Sequence, residues 1–130
     1  MLSRRLLRVK VAKALYAHLK SNSDIRVSEK NLVESIDKAY DLYFQMMSFV
    51  VEVANYAENR IELNKQKKLP TYEDLNPNRR FVDNPVIHLI ANSDSVNDVL
   101  ASRKLSWSQH QDAVKDVYNR LVEAEFYQKY

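Results

Sequence analysis

The chain has 130 residues, enough for one domain with a real hydrophobic core, and it contains neither cysteine nor glycine. The missing cysteine excludes a disulfide framework, thiolate catalysis and Cys-based zinc sites, and the missing glycine excludes phosphate-cradling loops of the P-loop and dinucleotide-binding kinds. Against 20 basic and 17 acidic residues overall, the first twenty positions hold six basic and no acidic side chains, so a +6 segment precedes a remainder of 14 basic (20 less 6) and 17 acidic residues, or −3.

That segment, MLSRRLLRVKVAKALYAHLK, carries Arg4, Arg5, Arg8, Lys10, Lys13 and Lys20. A localised positive field attracts polyanions, and its context favours RNA over membrane. No apolar run approaches the roughly 20 residues that span a bilayer. Charges also interrupt the opening run before a signal-peptide core forms. A reducing cytoplasm is the expected location.

The pattern predicts a first helix from about Ser3, its cap, to about Lys20. At 100° per residue, Arg4, Arg5 and Arg8 share an arc with Ala12, Leu15, Tyr16 and Leu19. The expectation is a core-packing face that turns cationic at its amino end, with Lys10, Lys13 and Lys20 on a solvated face. Positive charge at a helix amino terminus is disfavoured by about 0.3–1 kcal/mol per group, so helix propensity does not explain the three arginines and a ligand would. Residues 21–27 read as a loop, and Ser28 as the cap of a second helix, with Val27 and Leu32 at staple spacing.

From Glu29 to about Lys67, two apolar seams and one polar seam keep constant register. One seam runs Val33, Ile36, Tyr40, Tyr43, Met47, Val50, Ala54, Ala57, Ile61. The other runs Ala39, Leu42, Met46, Phe49, Val53, Tyr56. This predicts one continuous helix packed between neighbours. Such a helix would span roughly 58 Å, against about 36 Å for a compact domain of this length, so the rod protrudes or something else covers its end. Tyr40, Tyr43, Phe44 and Met47 read as core rather than as a cofactor box.

Residues 64–84 form a polar connection with one short turn at Thr71–Leu75. Asn84 caps a third helix with Pro85 in its first turn. Asn92–Ser95 breaks it, and a fourth short helix carries Val96, Val99 and Leu100. Ser108 with Gln111 resembles a capping box for a last helix whose core face is Val114, Val117, Tyr118, Leu121 and Val122. Trp107 reads as a packing anchor. The fold class is all-α: a helical bundle around one long central helix, within a single domain over residues 1–130.

Two basic groups are candidate sites. Arg4, Arg5 and Arg8 could follow a single RNA strand, since guanidinium forks match phosphate oxygens and stack on bases; the plainer reading is a solvated basic end. Lys65, Lys67, Lys68, Arg79 and Arg80, beside Tyr72 and Phe81, interleave charge and aromatics as single-strand binders do; more simply, lysines end helices and decorate loops. His18, His88 and His110 fall in no metal-ligand pattern, and His18 is expected to bond a nearby backbone carbonyl. No strained turn presents a nucleophile. Neither catalysis, metal nor cofactor is expected.

The run RRLLRVKVAKALY, residues 4–16, resembles the opening helix of the NusB family of bacterial transcription antitermination factors, with Arg4, Arg5, Arg8 and then Ala14, Leu15, Tyr16 in the matching places. Residues 41–61, beginning Asp41-Leu42-Tyr43-Phe44, resemble that family's third-helix region. The resemblance implies an all-helical fold and a cytoplasmic factor that binds the boxA element of ribosomal RNA leaders. It implies the partners NusE, a small-subunit ribosomal protein, and the elongating RNA polymerase. It assigns RNA contact to Arg4, Arg5 and Arg8.

Residues 1–63 carry the NusB-like helices. Residues 64–130 lack the family's second half, and their short helices over 85–130 resemble the insertion of longer members; the chain reads as the amino-terminal piece of one. Two alternatives come from other classes: a helical protein-interaction scaffold, and the NusB-like accessory domain of an RNA methyltransferase. Unpaired apolar seams on the long helix also suggest a homodimer.

Overall fold

A computed structural model describes residues 3–130. It contains α1 (Arg4–Ser21), α2 (Ile25–Lys65), α3 (Tyr72–Leu75), α4 (Pro85–Ala91), α5 (Asp94–Ser102), a 3-10 turn at Ser108–His110, α6 (Gln111–Glu123) and α7 (Glu125–Lys129). The fold is all-α, with no strand among the described residues. Its chain contacts divide it into two compact units, residues 1–43 and 44–130, with the division inside α2.

In the first unit, Ser3 caps α1 as its position predicts, its hydroxyl accepting from the Leu6 N–H at 3.2 Å. At the other end Asn22 adopts a left-handed conformation (φ 46°). Glycine usually fills that place, and asparagine is the best substitute. The second helix starts at Ile25, one turn earlier than expected. Asp24 starts it: its carbonyl takes the Val27 and Ser28 N–H groups at 3.0 and 3.1 Å, and its carboxylate takes the Arg26 N–H at 3.1 Å. Ser28 is therefore inside the helix and not its cap.

The packing face of α1 also differs from the expected one. Ala12, Leu15, Tyr16 and Leu19 are exposed, with Leu19 at 75%. The half-buried positions are Leu7, Lys10, Ala14 and His18, whose spacing of 3, 4 and 4 is itself a helical stripe. Lys10 leaves the solvated face because its stem can lie along apolar surface while its ammonium finds the Ser35 carbonyl at 2.5 Å. Along α2, Tyr40 and Tyr43 are 44% and 61% exposed, so they are not the core they were expected to be. Burial instead falls on Asp41, in the polar seam, which Lys38 approaches to 3.6 Å.

The second unit holds the apolar core. Val53, Ala54, Ala57 and Ile61 of α2 are buried together with Val82, Ile87 of α4, Val96 of α5 and Val114 of α6. Both predicted seams of α2 thus reach the interior here. Ala57, Ile61 and Val82 form one cluster with Phe81 and Tyr118 against it. Edge-on or tilted ring pairs join Phe49 to Trp107 at 4.5 Å, Tyr56 to Tyr118 at 5.2 Å and Phe81 to Tyr127 at 5.7 Å. Such pairs add to area burial by about 0.5–1.5 kcal/mol each.

The connection after α2 behaves as its residues suggest. Thr71 and Asp74 form a reciprocal capping box around α3, and Asn84 caps α4 through the Val86 N–H at 2.9 Å. The box expected from Ser108 and Gln111 does not form. Ser106 takes its place: its hydroxyl donates to that of Ser108 at 2.8 Å and accepts the Ser108 N–H at 3.0 Å. The segment winds as a 3-10 turn, and Gln111 reaches back to the Trp107 carbonyl at 3.3 Å. On α6 the expected core face is only partly covered, with Val117 and Val122 exposed.

Candidate nucleic-acid interface

Arg4, Arg5 and Arg8 are all exposed on the first two turns of α1. No acidic residue occurs in that first turn, and among the described residues none of the three makes an ion pair. Arg4 and Arg8, four positions apart, stand one above the other, with Arg5 beside them. The half-buried stripe of α1 fixes this arc outward.

The same arc continues into exposed Ala12, Leu15, Tyr16 and Leu19. The Lys20 ammonium lies 5.9 Å from the centroid of the Tyr16 ring, a cation–π distance. Sequence reasoning placed Tyr16 in the core. A neighbouring lysine one turn away was the available sign that the ring serves a charged surface. The arc therefore offers guanidinium, ammonium, one aromatic face and two leucines in a row.

The second basic group is built differently. Lys65 pairs with Glu62 at 2.7 Å and Lys67 with Asp74 at 3.0 Å. Arg79 holds Asp83 at 3.0 Å and Glu58 at 3.3 Å, and Arg80 donates to the Tyr130 carbonyl. Of the five, Lys68 alone has no such partner among the described residues. These pairs show in the titration of the carboxyls. Asp74 is held below its ordinary 3.8 by the Thr71 N–H first and Lys67 second. Asp83 and Glu62 are lowered by Arg79 and Lys65, and the Arg79 guanidinium is raised by Asp83 and then Glu58. Three of the five charges in this group, on Lys65, Lys67 and Arg79, are met by carboxylates, whereas among the described residues none of the three on Arg4, Arg5 and Arg8 is.

His18 bonds a hydroxyl rather than a carbonyl: its Nδ1 lies 3.0 Å from Ser28 Oγ, which is 3.0 Å from Ser23 Oγ. Among the described residues no group of three His, Asp or Glu side chains is placed to hold a metal ion, and no helix is long and apolar enough to cross a membrane. No family model, curated protein or solved structure matches the chain.

Proposed function

We propose that this chain is an RNA-binding transcription antitermination factor of NusB type, acting in the cytoplasm on boxA-like leader transcripts of ribosomal RNA. The observation that carries the reading is the trio Arg4, Arg5 and Arg8 at the amino end of α1, exposed and, among the described residues, without carboxylate partners. Three such charges oppose the helix dipole. A polyanion would offset that opposition, and the Tyr16 ring would offer a stacking face to an unpaired base. The mechanism is electrostatic and involves no bond making. The helix grips a single strand, while NusE and the polymerase complex are the partners that the family resemblance brings with it. Fluorescence anisotropy with a labelled single-stranded leader tests this. Binding that survives replacement of all three arginines by glutamine defeats the assignment.

A second reading, a protein-interaction scaffold, is favoured by the exposed Leu15 and Leu19 on the same arc. Phe49 and Tyr56 of the second apolar seam are half-buried in ring pairs with Trp107 and Tyr118 and do not serve it. A homodimer is the simplest cover for the leucines. Under this reading the chain binds no RNA, and Leu15→Glu with Leu19→Glu reduces the mass in light scattering; a monomeric mass for the unaltered chain at high concentration rejects the homodimer.

A further inference from the structure

On the side of α1 turned away from Arg4, a cleft of about 360 Å³ opens between α1 and the first turns of α2. Its lining contains two ammonium groups, Lys10 and Lys13, the His18 imidazole, serine hydroxyls and the Asn31 amide, but no carboxylate. Lys10 is half-buried and donates to a neutral acceptor, the Ser35 carbonyl. Lys13 makes no ion pair among the described residues. Neither ammonium meets a carboxylate among the described residues, and an anion in the cleft would supply the counter-charge. Ser21, Ser23 and Ser28 form a hydroxyl chain along one wall, with Ser21 to Ser23 at 3.0 Å and Ser23 to Ser28 at 3.0 Å. Leu6, Val9 and Leu32 line the cleft with apolar surface.

We propose that this cleft binds a small organic phosphate monoester of the nucleoside monophosphate class. Two ammonium groups match a phosphate monoester, which carries about −1.5 to −2 charges at neutral pH, better than they match a single carboxylate. The Asn31 amide supplies a further donor to its oxygens, and the apolar surface covers the organic body. None of the three arginines lines the cleft, and Lys13 lies about 180° around the helix from Arg4 and about 140° from Arg8.

Calorimetric titration of the full chain with adenosine 5′-monophosphate, adenosine and inorganic phosphate tests the proposal. The nucleotide is expected to bind with Kd about 1 mM or tighter, adenosine at least tenfold more weakly, by the order of a lost charged hydrogen bond, and inorganic phosphate at least tenfold more weakly, because it leaves the apolar surface uncovered. Lys13→Gln, at an exposed position, is expected to weaken nucleotide binding about tenfold, and Lys10→Gln to do the same where circular dichroism shows the helix intact. The Arg4, Arg5, Arg8 triple glutamine variant should bind the nucleotide as before, whatever it does to RNA. Absence of saturable binding overturns the proposal. So does binding unchanged by Lys13→Gln, or equal affinity for inorganic phosphate.

Discussion

The indole Nε1 of Trp107 donates to the main-chain carbonyl of Gln45 at 2.9 Å, across 62 positions of sequence. The same indole stacks at a tilt on Phe49, one helical turn further along α2. One side chain thus joins the segment before α6 to the long helix by both a directed bond and apolar contact. Trp107→Phe keeps most of the contact and loses the donor, so it should cost about 1 kcal/mol. Trp107→Ala loses both and should cost about 3 kcal/mol. Urea denaturation followed by circular dichroism measures both; equal costs would mean that the hydrogen bond, and not the packing, holds the segment.

Acid should loosen the residues around Asp74 and Asp83 only below the ordinary aspartate range. The folded-state values of Asp74 and Asp83 lie below the ordinary 3.8. A lowered carboxylate contributes stability that is present above its unfolded value and disappears as pH falls through its folded one. Only as pH falls below the ordinary 3.8 and through these lowered values should the Thr71–Asp74 box, the Lys67–Asp74 pair and the Arg79–Asp83 pair open. Carboxyl NMR titration should place both aspartates below 3.8. Asp74→Asn should remove the Lys67 dependence of amide protection in residues 71–75. Ordinary titration of both aspartates would show that these pairs do not persist in water.

Helix type and position were legible where periodicity was long, as in α2, or where a cap residue stood alone, as at Ser3 and Asn84. The start of α2 was not, because Ser28 and Asp24 are both good cap residues four positions apart and only tertiary contact to His18 separates them. The buried face of α1 was misread because apolar count favoured Leu15, Tyr16 and Leu19, whereas Lys10 and His18 pack through their stems and single polar bonds. The arginine trio was legible as a charge excess. That Arg79 and Lys67 are paired was open to reading from Asp83 and Asp74, four and seven positions on, whereas Glu58, 21 positions from Arg79, was not.

A glycine-free chain must also end its helices without the usual residue, and composition does not say where that costs most. The structure locates it at Lys104, whose φ is 53°. The N–H of Leu105 reaches the Leu100 carbonyl at 2.9 Å, and that of Lys104 reaches Ala101 at 3.2 Å, the two bonds of a Schellman ending for α5. A side chain bearing a Cβ in this conformation costs roughly 1 kcal/mol. Lys104→Gly should therefore stabilise the chain by up to about 1 kcal/mol, less the entropy that glycine adds to the unfolded state. Lys104→Val should destabilise it, since β-branching is least compatible with positive φ. Thermal denaturation ranks the three, and a glycine variant less stable than the valine one would contradict the strain.

The arginine arc has a quantitative signature in salt. Each phosphate contact with a single strand contributes about −0.7 to the slope of log affinity against log salt, so three contacts give about −2. Single replacements by glutamine should each reduce the slope by about 0.7. The helix itself should survive, because all three side chains are exposed and make no ion pair among the described residues; removing charge from the positive end of the dipole should even stabilise it slightly. Arg4 and Arg8 share a line along the helix and Arg5 is offset from it. A strand running along the axis would then lose more from Arg4→Gln or Arg8→Gln, and one crossing the axis more from Arg5→Gln. Glutamine variants of Lys65 and Arg79 should leave the slope near −2, since their charge is already met by Glu62, Glu58 and Asp83. A slope that follows those two residues and ignores α1 would move the interface to the second unit.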